Sequence, residues 1–209
     1  MNTSLYDEIA RLFAERGGEA YGEGVSIAQH SLQTAALARA EGGDPALIAA
    51  SLLHDIGHFI ENPDDAFGYH KHDRSGGAWL AARFPAIVSE PVRLHVAAKR
   101  YLCAVEPQYF ALLSDASRYT LSKQGGPMRA EEAAEFARQP FADRAIRLRR
   151  FDDHGKVVGL AVPPLESYRA TVAEALGDSG KRTASPYREE PPRGGVSNGE
   201  TRPDGRSSG

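Results

Sequence analysis

Cysteine is nearly absent from this chain of 209 residues, where Cys103 stands alone. A single thiol excludes an internal disulfide and any structural zinc site built on several thiolates. Long apolar runs are lacking too, and none approaches the roughly 20 residues that cross a bilayer as a helix. The segment from Met1 to Ala10 has no apolar core of the kind a signal peptide needs, so a cytoplasmic location is expected. Nor is there an excess of positive charge. Lys and Arg number 25 against 28 Asp and Glu, a formal net charge of -3, and the absence of a basic patch argues against a nucleic-acid partner. Convincing apolar/polar alternation is also missing, which excludes a central strand; the periodicity is helical almost throughout, and the expected fold class is all-α.

The apolar content that is present, 41%, suffices for one domain with a sizeable core. A compact helical bundle is expected over residues 1–176. From Gly177 onward Ser, Arg, Gly, Pro and Glu dominate, so residues 177–209 are expected to form a disordered tail. Leu5, Ile9, Leu12 and Phe13 make the apolar stripe of a first helix, followed by a turn-rich loop, Gly17 to Gly24. Ser26 caps the helix that carries His30. Asp44-Pro45 opens a helix predicted to bear His54, Asp55 and His58 together. His72 begins a helix running through Trp79 and Leu80, Ser89-Glu90-Pro91 opens the one with His95 and Lys99, and Ser114 caps another. Two more are expected near Ala130 to Arg138 and Phe141 to Asp153. The loops are short, as in a bundle, and there is no internal repeat.

Within this apolar setting His54-Asp55 is conspicuous. Burying two ionisable groups without a partner would cost several kcal/mol, and a metal ion is the simplest compensation. Matching ligands lie on other helices: His30, His72, His95 and Asp152. A lone histidine on a partly apolar helix is more often a core residue than a ligand. Four histidines and two aspartates spread over five elements change that balance. His70 competes with His72, which is preferred because it starts a helix with Gly76 one turn on, leaving space near the metal. Asp153 competes with Asp152, and His154 reads as an exposed C-terminal cap. Six ligands suit two ions bridged by Asp55, with zinc, iron and manganese all compatible on ligand chemistry alone. Lys99 follows His95 by one helical turn, and His58 stands in the same relation to His54. Ser117, Thr120 and Gln124, at i, i+3 and i+7, give one helix a polar face. Left to themselves, Lys99 reads as a solvated charge, His58 as a cap, and that polar face as a wet surface.

The His, His-Asp, Asp order resembles the HD-domain superfamily, most of whose members are phosphohydrolases. Four stretches resemble more closely its PhnZ-type phosphonate oxygenases: Tyr21-Gly22-Glu23, Leu53-His54-Asp55-Ile56-Gly57-His58, Glu90 to Cys103 around Lys99, and Gln124-Gly125-Gly126-Pro127-Met128. The similarity runs from about Tyr21 to Leu176. It implies a mixed-valent Fe(II)/Fe(III) pair held by His30, His54, Asp55, His72, His95 and Asp152, with dioxygen as co-substrate. The implied reaction cleaves the carbon-phosphorus bond of a small 1-hydroxyalkylphosphonate to a carboxylate and phosphate. It further implies that Tyr21, Glu23, His58, Lys99, Ser117, Thr120 and Gln124 bind substrate, with His58 and Lys99 taking part in catalysis. Glu23 would face an amine and Tyr21 would cover the substrate iron. That favours 2-amino-1-hydroxyethylphosphonate, which gives glycine, over its trimethylammonium analogue, which gives glycine betaine. A quaternary ammonium asks for an aromatic cage, for which Tyr21, Phe59, Tyr69 and Tyr101 are possible walls. Two rival readings stand beside this: a dinuclear phosphohydrolase acting on a phosphomonoester or nucleotide, which keeps every metal ligand, and a non-catalytic binding or sensor module using the tail for partners, against which the intact ligand set and the polar face at Ser117 speak.

Overall fold

The computed structural model describes residues 4–20, 24–61 and 72–177. Eleven α-helices follow in order among them: α1 (Leu5–Arg16), α2 (Ile27–Ala40), α3 (Pro45–Leu53), α4 (Ile56–Ile60), α5 (His72–Ala81), α6 (Ala86–Val105), α7 (Tyr109–Leu112), α8 (Asp115–Lys123), α9 (Ala130–Ala137), α10 (Ala142–His154) and α11 (Arg169–Gly177). A 3-10 turn, Leu165–Tyr168, leads into α11. No strand forms among the described residues; Ala20 and Ser26 meet in one isolated antiparallel bridge. The all-α expectation holds. Residues 178–209, expected as a tail, lie outside the described residues.

Local signals set many of the boundaries. Ser4, Ser26, Asp44 and Ser114 each accept a backbone N–H at a helix start, and Ser26 forms a full capping box with Gln29. The helix α3 is apolar all round, with every residue from Ala46 to Leu53 buried, as befits an element enclosed on all sides. It lies among α2, α6, α10 and α11, and the main core gathers around it. The long α6 runs along α10 on one side and α5 on the other. Its outer face packs Leu94 and Ala98 against Phe136, Ala142 and Ala145, and its C-terminal end packs Leu102 against Tyr109, Leu113 and Leu121.

The single helix expected to bear His54, Asp55 and His58 is two. The helix α3 ends at Leu53, Asp55 leaves helical geometry at φ -101° and ψ 17°, and α4 restarts at Ile56. His58 is therefore not one turn above His54 on a shared face. The break goes with a close fit of α4 against α5: a Cβ on Gly57 would lie 2.2 Å from the His72 carbonyl oxygen, so only glycine admits this approach. Gly76 serves the same contact, its Cβ position being 3.1 Å from Gly57 N, and does not open space at a metal. The helix with His95 begins at Ala86, so Pro91 is interior rather than first-turn. The helices α7 and α11 were not anticipated.

Candidate metal centre

Asp55, at the turn between α3 and α4, offers its two carboxylate oxygens in two directions. Oδ2 lies 3.3 Å from His54 Nε2 and 3.5 Å from His30 Nε2. Oδ1 lies 3.5 Å from His72 Nε2 and 3.9 Å from His95 Nε2. Asp152, near the end of α10, brings Oδ1 to 3.3 Å from His30 Nε2 and 4.0 Å from His54 Nε2. The two Nε2 atoms of the first histidine pair are 3.0 Å apart, and those of the second 3.2 Å.

The second nitrogen of three rings is tied to backbone. Nδ1 meets the carbonyl of Gly155 in His30 at 2.9 Å, of Ser51 in His54 at 2.8 Å and of Val92 in His95 at 2.6 Å. A carbonyl only accepts, so these Nδ1 atoms carry protons and the Nε2 atoms are the ones turned inward. Gly155 reaches His30 because it has no side chain; a Cβ there would sit 2.5 Å from Thr34 Oγ1.

The inward Nε2 atoms of His30 and His54 meet at 3.0 Å, and one bonds to the other only while a proton sits between them. Asp55 Oδ1, Asp55 Oδ2 and Asp152 Oδ1 are buried and accept no hydrogen bond. Acceptors crowded together without donors, in a dry site, are what a cation answers. The donor set fits one ion among His30, His54, Asp55 and Asp152 and another among Asp55, His72 and His95. Protonation is arranged to match. Burial would raise Asp152, but the Arg149 guanidinium outweighs it and holds the carboxyl well below its ordinary range. Asp55 is held low in the same way by His54 against burial. Burial pushes His95 down to about 3, leaving a neutral ring. It depresses His54 also, but Asp55 overrides it and leaves that ring raised, so a proton and a metal compete for the same Nε2.

The HD domain family model matches residues 27–100, which hold five of these six residues. A 1-hydroxy-2-(trimethylamino)ethylphosphonate dioxygenase (glycine-betaine-forming) of Leisingera caerulea is 41% identical over 169 residues, 77% of this chain and 84% of that protein. A hydroxymethylphosphonate dioxygenase of Gimesia maris is 42% identical over 182 residues, 85% of this chain and 89% of that protein. This chain belongs to the HD-domain family of phosphonate dioxygenases. An uncharacterised protein of Acanthamoeba polyphaga mimivirus is also similar, 35% identical over 178 residues, 82% of this chain and 81% of that protein.

In this family member the positive charge gathers on the Asp152 side. Lys99 is buried rather than solvated, and its Nζ donates to Thr120 Oγ1 at 2.8 Å. Burial, with Arg149 adding to it, lowers Lys99 to about 7. Lys156 Nζ donates to Ser117 Oγ at 3.3 Å and lies 3.9 Å from Asp152 Oδ1. Gln124 ends α8 with a buried Oε1 that accepts no hydrogen bond. Sequence reasoning missed Lys156, although a signal existed: it follows Asp152 by four residues, as Lys99 follows His95. His58 stacks on His72 with ring centroids 4.4 Å apart, and burial lowers it to about 3. Ligand atoms of Asp55, His58 and His72 lie within 4.8 Å of one another.

Asp153 turns away from the centre to pair with Arg149 and Tyr109. His154 is exposed, its Nδ1 bonded to the Arg150 carbonyl. Two suggested cage walls are engaged elsewhere: Phe59 packs on Phe13 at 4.9 Å and Tyr101 on Phe136 at 5.0 Å. Tyr21, Glu23, Tyr69 and His70 lie outside the described residues. Among the described residues no helix is long and apolar enough to cross a membrane.

Proposed function

We propose that this protein is a di-iron oxygenase that cleaves the carbon-phosphorus bond of small 1-hydroxyalkylphosphonates. The observation that carries the reading is the division of Asp55 between two histidine pairs, 3.3–3.5 Å on one side and 3.5–3.9 Å on the other, with two lysines beside the centre. It is supported by the names of two relatives, both hydroxyphosphonate dioxygenases. The overall change is R–CH(OH)–PO3(2-) plus O2 giving R–COO(-), HPO4(2-) and H(+). Four electrons leave the carbon and phosphorus centres and reduce both oxygen atoms.

In this reading His30, His54, Asp55 and Asp152 hold one iron, and His72, His95 and Asp55 hold the other. When bound, the Fe(II)/Fe(III) pair would supply dioxygen reduction and Lewis acidity there. The chain's own groups do the rest. Lys99 and Lys156 neutralise the phosphonate, while Ser117, Thr120 and Gln124 hydrogen-bond its oxygens and fix its orientation. Asp152, paired with Arg149 through Oδ2, keeps its other oxygen for the metal. His58 offers a neutral ring nitrogen beside the His72 half. The carboxylate of Glu23, which the family resemblance assigns to the substituent, would favour a primary amine. The commitment of Phe59 and Tyr101 to other rings removes two walls of the cage that a trimethylammonium group would need.

Dioxygen uptake, with phosphate and carboxylate assayed in parallel, tests the reading on iron-loaded protein. The substrates are 2-amino-1-hydroxyethylphosphonate, its trimethylammonium analogue and hydroxymethylphosphonate. Oxygen loss coupled one to one with phosphate release is expected, with the primary amine preferred. Phosphate release from phosphomonoesters without oxygen uptake from any phosphonate would overturn it in favour of a hydrolase.

A further inference from the structure

Behind the Arg149–Asp152 pair stand two groups, Asp153 and Tyr109, that the reaction does not use. Arg149 stands on α10 one turn before Asp152 and is 4% exposed. Its Nη1 lies 2.6 Å from Asp152 Oδ2, the oxygen opposite the one that meets His30. Its Nη2 pairs with Asp153 Oδ1, and its Nε donates to Asp153 Oδ2 and to the Tyr109 hydroxyl, each at 3.2 Å. Tyr109, from α7, donates its own O–H to Asp153 Oδ2. A guanidinium, two carboxylates and a phenol thus close a network whose one free carboxylate oxygen is Asp152 Oδ1, buried and accepting no hydrogen bond.

Two consequences follow from the chemistry. A carboxylate with both oxygens free can chelate a metal, whereas one whose second oxygen is gripped by a guanidinium presents a single donor atom. Charge is the other consequence. An isolated Arg149–Asp152 pair would be neutral and a weak ligand for a cation; with Asp153 sharing the guanidinium, the trio keeps one negative charge, which Lys156 Nζ faces from 3.9 Å on the Asp152 Oδ1 side.

We infer that Asp153 and Tyr109 are positioning residues that, through Arg149, hold Asp152 as an anionic one-oxygen ligand for the ion on the His30–His54 side. The inference rests on the metal reading above. Cobalt(II), added to the metal-free full chain and followed by its visible absorption, separates the two. The native chain is expected to bind two ions. Asp153→Asn weakens one of them by about 10- to 100-fold, the range typical for partners of metal ligands, and alters that ion's absorption band. Tyr109→Phe weakens the same ion by less. The ion of the His72–His95 half is the internal control and binds as in the native chain. Native affinity and spectrum for both ions in both variants overturns the inference. So does equal weakening of both ions, which marks general destabilisation. If Asp153→Asn does not fold, the nearly isosteric Tyr109→Phe decides alone. A native chain that binds no cobalt overturns the metal reading itself.

Discussion

The two halves of the centre share Asp55 and differ in how they are built. The His30–His54 half is embedded: its rings are fully buried, both Nδ1 atoms are tied to backbone carbonyls, and Asp152 is anchored through Arg149. The His72–His95 half is embedded only on the α6 side. His72 is the first residue of α5, its side chain is 13% exposed, and its position depends on the glycine contact between α4 and α5. One half is therefore fixed by the core and the other by the docking of a helix end. Rigid ligands keep an ion in place, and a partly exposed half leaves access for a small co-substrate.

The largest expected effect removes what the halves have in common. Asp55→Ala deletes one donor from each ion, leaving His72 and His95 with no facing carboxylate and His30 and His54 with Asp152 alone. Metal content is expected to fall below one ion per chain, and turnover by on the order of 10³-fold or more. Elemental analysis and oxygen uptake check this. Two ions retained would break the picture of a shared bridging carboxylate.

Lys99→Met comes next and acts on the embedded half, where the charge for the anion lies. Losing a charged hydrogen bond of about 1.5–3 kcal/mol lowers kcat/KM by roughly 10- to 100-fold. The native pH profile carries the sign. Burial, with Arg149 and Lys156 adding and Asp152 and Asp153 opposing, sets Lys99 near 7. Below that pH the ammonium is present and binds the phosphonate; above it the charge is lost, so kcat/KM falls as pH rises through about 7. A bound dianion favours the ammonium, so the corresponding fall in kcat moves to higher pH. The variant lacks this limb, and a native profile flat from pH 6 to 9 would break the assignment.

Much of the embedded half was legible in the chain because its signals are local. The caps at Ser26, Asp44 and Ser114 set α2, α3 and α8 in register, and the helical spacing of His95 and Lys99 survives in α6. Asp152 was separable from Asp153 only by a narrow margin, since both fall on one helix. Their opposite directions are set by Arg149 and Tyr109, and Tyr109 stands on α7, an element of four residues with no periodicity to read. The break at Asp55 was not legible, and the close approach that goes with it joins Gly57 to His72, 15 residues further along the chain. Pro91 misled for a related reason. Read locally it opens a helix; in the fold α6 begins at Ala86, and packing holds the proline within the helix despite its missing N–H. The helix α11 lacks a marked apolar stripe, and only the burial of its Val172 and Ala175 against the core, beside Tyr168 of the preceding 3-10 turn, makes it an element.

Gly57→Ala is the smallest of the three perturbations and the sharpest test of the contrast. Its added Cβ would sit 2.2 Å from the His72 carbonyl oxygen and 2.7 Å from the His72 Cα, all of them backbone atoms that no rotamer change can move aside. The start of α5 must shift, at a cost of about 1–3 kcal/mol of stability, and His72 shifts with it. The ion held by His72 and His95 is expected to bind roughly tenfold more weakly. The ion of His30, His54 and Asp152 is expected to stay within about threefold of native affinity, because none of those three residues lies on α4 or α5. Stepwise metal titration, with thermal unfolding alongside, reads both quantities in one sample. Equal loss at both ions would mean that Asp55 transmits the shift across the bridge. The halves would then act as one unit, and their difference in exposure would not carry over into a difference in metal retention.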